Sequence, residues 1–133
     1  MFSHITVGVC DLDRAGVFYD SLLLPLGFAR RPVTADGGPP SLSWHVPGAG
    51  LPYFYAYLPF DGRPASPSNG GMVAFLAPSA QAVEMAYAAA IEHGGVDAGA
   101  PGPRPQYAPG YFGAYLRDPD GNKVHVVFRP DAV

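Results

Sequence analysis

Apolar positions along the chain follow two periods, and the order in which the periods change occurs twice. Residues 3–10, SHITVGVC, are rich in β-branched types and predict a strand. From Leu12 to about Leu24 the apolar positions Leu12, Ala15, Phe18, Tyr19, Leu22 and Leu23 recur at helical spacing, which predicts one buried stripe. Asp11 or Asp13 can cap that helix, because a carboxylate accepts hydrogen bonds from the free N–H groups of the first turn. Pro25 and Gly27 close it. Strands are then expected over 28–33, 41–46 and 53–60; the adjacent Arg30 and Arg31 suggest that the first of these is an edge.

After a polar loop, 61–71, the same order begins again. Residues 72–77 predict a strand, and Pro78–Ser79 open a helix with Val83, Ala86, Tyr87, Ala90 and Ile91 on its apolar face. Gly94–Gly95 end it. A short strand over 96–98 and longer ones over 111–117 and 123–128 complete the set, the last two joined by the turn signal Asp118-Pro119-Asp120-Gly121. The chain therefore reads as one α+β domain of two βαβββ modules, 1–60 and 72–130, joined by the linker 61–71. Each half alone leaves a sheet face uncovered. Two halves can place helices outside and curve the strands around an inner hollow.

Composition narrows the picture. The chain has 133 residues, enough for one domain with its own core, and 48% hydrophobic content excludes a disordered chain. The formal charge of −3 gives no electrostatic reason to expect nucleic acid or an anionic membrane surface. No apolar run approaches the roughly 20 residues of a spanning helix, and the first residues lack a basic, then apolar leader, so the cytoplasm is the expected location. The single cysteine, Cys10, excludes an internal disulfide and reads as a small apolar residue.

Four stretches, His4–Val9, DLDRAGVFY over 11–19, LGF over 26–28 and DPDGNKV over 118–124, resemble the vicinal oxygen chelate superfamily of glyoxalase I, extradiol dioxygenases and bleomycin-resistance proteins. The resemblance implies two βαβββ modules forming an open, cup-shaped mixed sheet, and commonly a homodimer whose modules pair within one chain or across two. It also implies where a divalent metal would be held, on the first and last strands of each module. Those positions here carry His4, Met72 and His125, while the last strand of the first module offers only Tyr53, Phe54, Tyr55 and Tyr57. Met72 is a soft thioether, so two good ligands remain where a catalytic site usually has three and an open position. The set is incomplete, and the reading expects no cofactor, with Zn, Ni, Mn or Fe as the alternative.

The aromatic residues suggest what the hollow would hold. Trp44, Tyr53, Tyr55, Tyr57 and Tyr115 on strands, with Arg104 and Tyr107 on the proline-stiffened stretch 99–111, are the candidate ligand-binding residues. Tyr53, Tyr55 and Tyr57 share one strand face, offering stacking area with hydroxyls to orient a polar ligand. Arg104 and Tyr107 would form a lid, with Arg104 able to hold an anionic group. If Trp44 faces the hollow, His45 faces away. No catalytic residue is identified. The function expected is metal-free binding of a small molecule; the alternative is a metal-dependent lyase, isomerase or dioxygenase using His4 and His125.

Overall fold

A computed structural model describes residues 1–132. Its element order is β1 (His4–Gly8), α1 (Leu12–Leu23), a 3-10 turn (Leu24–Leu26), β2 (Ala29–Arg31), β3 (Ser41–His45), β4 (Tyr53–Tyr57), β5 (Val73–Leu76), α2 (Ala80–Glu92), β6 (Val96–Pro103), β7 (Phe112–Arg117) and β8 (Lys123–Phe128). The strands form two four-stranded mixed sheets, ordered β1-β4-β3-β2 and β5-β8-β7-β6. In each sheet the first strand runs parallel to the fourth, and the other pairs are antiparallel. The α+β fold of two βαβββ units is thus the one expected. No helix among the described residues is long and apolar enough to cross a membrane.

Local chemistry sets the helix ends. Asp11 accepts the Arg14 N–H at 3.0 Å and caps α1, and Ser79 accepts the Ala82 N–H at 3.0 Å and caps α2. Gly94, at φ 96°, takes the left-handed turn that ends α2. β6 is the largest departure from the sequence reading. It runs for eight residues instead of three, because Gly99 and Gly102 permit the irregular register by which it follows β7. The first part of the stretch expected as a long free lid, 99–103, is therefore strand, and 104–111 follow as turns.

The helices pack on each other, and each packs on the sheet of its own module. Phe18, Tyr19, Leu22 and Leu23 of α1 and Val83, Ala86 and Ala90 of α2 are fully buried. Each large apolar side chain removed from water in this way contributes about 1.5–3 kcal/mol. Phe75 of β5 meets Phe28 and Phe54 of the first module edge-on, with centroids 5.7 and 5.1 Å apart. The turn between β7 and β8 completes the seam. Asp118, 2% exposed, accepts the Tyr19 O–H at 2.6 Å, and Asn122 Nδ2 donates to the Gly8 carbonyl at 2.9 Å. Asp120 accepts the Cys10 N–H and pairs with Arg14. The two modules are joined through the helices and this turn.

Candidate functional site: two tyrosine-bearing hollows

Strand alternation decides which side chains reach the open faces. In the first sheet, the register pairs Trp44 with Phe54 and Ser43 with Tyr55. Trp44 and Phe54 face α1, where the Trp44 indole donates to Asp20 at 2.9 Å and packs on Tyr19. Trp44 is 1% exposed and lines neither hollow, so it is a core residue rather than a ligand contact. The alternating positions His4, Thr6, Arg31, Ser43, His45, Tyr53, Tyr55 and Tyr57 take the open face. His45, the residue expected to turn away if Trp44 faced inward, meets the Tyr53 ring there.

The first hollow encloses about 810 Å³ and is lined by His4, Thr6, Arg31, Tyr55 and Tyr57, with the 32–40 segment and Phe60 at its rim. The His4 ring meets Tyr55 edge-on at 5.6 Å, and its Nδ1 lies 3.0 Å from the Ser3 hydroxyl. Arg31 is a functional candidate that the sequence reading passed over. Its guanidinium lies 3.9 Å from the centroid of Tyr53 and donates to the Tyr55 hydroxyl at 3.2 Å.

The second hollow, about 610 Å³, is lined by residues of the second module and its leading loop, including Met72, Tyr107, Tyr115, Arg117 and Lys123. Its walls carry two cations and no carboxylate. Lys123 sits over the Tyr115 ring at 5.1 Å. Tyr107 reaches this hollow as a rim residue. Arg104 does not line it; its guanidinium turns back to the carbonyls of Ala100 and Pro103, at 2.9 and 3.3 Å.

His125 lies on the same open face, yet it is 1% exposed. Its ring stacks on Tyr115 at 4.0 Å and on Tyr111 at 5.9 Å. Its Nδ1 lies 2.8 Å from the Ala114 carbonyl, which can only accept, so Nδ1 carries the proton of the neutral ring. Nε2 then accepts the Tyr111 O–H at 2.7 Å. Burial, above all, pushes the His125 pKa down, helped by Arg104 and Lys123 and opposed by the Ala114 hydrogen bond. Burial likewise raises the Tyr111 pKa and keeps it a donor. Gly113 permits this arrangement: a Cβ there would lie 2.6 Å from the His125 ring.

These contacts bear on the metal positions. Both His125 nitrogens are engaged, and His4 and His125 bond to their own modules instead of to each other. No three His, Cys, Asp or Glu side chains among the described residues come together to hold an ion. Within one chain, the described residues therefore assemble no three-ligand set for a divalent metal.

Comparison with known proteins agrees with the architecture. The chain is 39% identical to a glyoxalase/bleomycin resistance protein from Albidiferax ferrireducens, over 98% of this chain and 99% of that one, with a TM-score of 0.82. A glyoxalase-related enzyme from Fulvimarina pelagi shares the fold at 20% identity, covering 98% and 88% of the two chains, with a TM-score of 0.71. A glyoxylase/bleomycin resistance protein/dioxygenase domain from Frankia does so at 16% identity, covering 96% of each chain, with a TM-score of 0.72. No curated protein matches. The profile of one family matches residues 1–126, and the chain belongs to that family, the Glyoxalase/Bleomycin resistance protein/Dioxygenase superfamily.

Proposed function

We propose that the protein is a cytoplasmic homodimer that binds a small molecule on its tyrosine-bearing sheet faces, without a resident divalent metal. The observation that carries this reading is the first hollow. Its volume, about 810 Å³, lies in the range of small-molecule sites, and Tyr55 and Tyr57 offer it both stacking area and hydroxyls. The metal-free part rests on the donor set, since His125 is sealed between two tyrosines with both nitrogens bonded. The dimer is supported by the half-built character of each hollow. Each is walled by one module, and beside each runs a strand, β1 or β5, with one unpaired edge. Exposed Phe60, Met72 and Leu76 flank those edges. A second copy that set its second module against the first module of its partner would close both hollows.

The test is a thermal-shift screen of small aromatic compounds against untagged protein dialysed with EDTA, repeated with Tyr55→Ala and Tyr57→Ala. Stabilisation by at least one compound without metal, lost in the variants, is the expected result. Stabilisation that requires added Zn, Ni, Mn or Fe would overturn the reading in favour of a metal-dependent enzyme.

A further inference from the structure

We infer that the first hollow takes an anionic aromatic ligand, one carrying a carboxylate or phosphate, and that Arg31 is the residue that grips the anion. The inference rests on the binding role proposed above and names its ligand class. Two adjacent arginines on β2 make the contrast. Arg30 faces the helix side and is neutralised by Asp20, with both guanidinium-to-carboxylate contacts at 3.1 Å. Arg31, on the opposite face, has no carboxylate partner among the described residues, where the ion pairs are Arg14–Asp120, Arg30–Asp20 and Arg129–Asp131.

The Arg31 side chain is nonetheless held. Nη1 donates to the Tyr55 hydroxyl at 3.2 Å and lies 3.5 Å from Ser43 Oγ. Ser43 is buried and donates its own proton to the Phe54 carbonyl at 3.1 Å, which leaves its lone pairs for Arg31. The plane of the guanidinium is supported by Tyr53 at 3.9 Å. One corner of the fork is thus tethered, while Nε and Nη2 make no hydrogen bond among the described residues. That is the edge that receives two oxygens of a carboxylate or phosphate side by side. The cation is pre-positioned, so little side-chain freedom is lost on binding. The body of the ligand would lie along Tyr55 and Tyr57. The other charged group at this hollow is Asp36, whose carboxylate is turned to the Gly38 N–H at 2.8 Å.

Isothermal titration of the full chain with benzoate, phenyl phosphate and the uncharged benzamide tests the inference. Either anion is expected to bind at least about tenfold more tightly than benzamide, the size of one charge-assisted hydrogen bond, and the stronger of the two identifies the group preferred. Arg31→Met should abolish the preference, and Arg31→Lys, which keeps charge without the fork, should recover only part of it. Tyr55→Phe, which removes the tether and keeps the ring, should weaken the anions and spare benzamide. Equal affinity for benzamide and the anions, or an unchanged preference in Arg31→Met with a native thermal melt, would overturn the anion site while leaving the binding role standing. No binding of any of the three probes to the wild-type chain would overturn the anion site; the aromatic screen described above then decides the binding role separately.

Discussion

Tyr19→Phe is the cleanest probe of the seam that fixes the two modules, because it removes one oxygen and nothing else. In the wild type, Asp118 Oδ1 accepts the N–H groups of Asp120 and Asn122, and Oδ2 accepts the Tyr19 hydroxyl at 2.6 Å and Asn122 Nδ2 at 2.8 Å. Tyr19 is fully buried, and its pKa is held well above the usual range, by burial first and then by the Asp118 charge, so it donates at any working pH. A hydrogen bond to a charged group is worth about 1.5–3 kcal/mol. The remaining donors on Asp118 soften the loss, and the phenyl ring keeps its contacts with Phe18, Trp44 and Phe54. The expected destabilisation is therefore about 2 kcal/mol, or a fall in Tm of roughly 5–10 °C for a chain of this length. Urea unfolding at fixed protein concentration, followed by Trp44 fluorescence, should show a lower midpoint with an unchanged slope. The same variant in an Asp118→Asn background should lose less, since the two share one bond. A loss below about 0.5 kcal/mol, or equal losses in both backgrounds, would refute the assignment of the seam to this contact.

Other perturbations address the site. The depressed His125 pKa means that the unfolded chain binds a proton there before the folded one does, so this residue makes stability rise with pH. That contribution should be complete above about pH 6.5 and shrink as pH falls from there toward the lowered folded value; comparing urea midpoints of wild type and His125→Gln from pH 7.5 to 5 reads it, with the variant showing the flatter profile. Gly113→Ala would press a methyl group into the His125 ring and the Val126 carbonyl, 2.6 and 3.2 Å away, and should cost about 1–3 kcal/mol by thermal melt. Elemental analysis of untagged protein should find substoichiometric Zn, Ni, Mn and Fe, and His4→Ala should leave that content unchanged; one equivalent of metal lost in His4→Ala would contradict the donor-set argument.

Periodicity made the fold legible, and particular residues show where it stopped. Helices and most strands could be read because their apolar stripes, caps and turns agree, as at Asp11, Ser79 and the 118–121 turn. β6 was not fully legible: a Gly/Pro-rich stretch resembles a loop unless its pairing with β7 is known. Alternation separates Trp44 from His45 but does not say which face meets the helix; only the partner strand and α1 decide that. The Arg30–Arg31 pair correctly marked an edge strand, yet it concealed that one arginine meets a carboxylate and the other does not. His4 and His125 lie on the strands where ligands were expected, and the surroundings of His125 are tertiary: the rings of Tyr111 and Tyr115 stack on it, and Tyr111 and the Ala114 carbonyl engage its nitrogens.

The central claim is that the open tyrosine faces take up a small molecule unaided by metal. Ring-labelled tyrosine NMR can follow all eight tyrosines in EDTA-dialysed protein as the aromatic compounds of the thermal-shift screen are added in turn. Shifts at Tyr53, Tyr55 and Tyr57, with the core Tyr19 and the helix residue Tyr87 unmoved, are the predicted result. Silent sheet-face tyrosines, or shifts that appear only after a divalent ion is supplied, would contradict it.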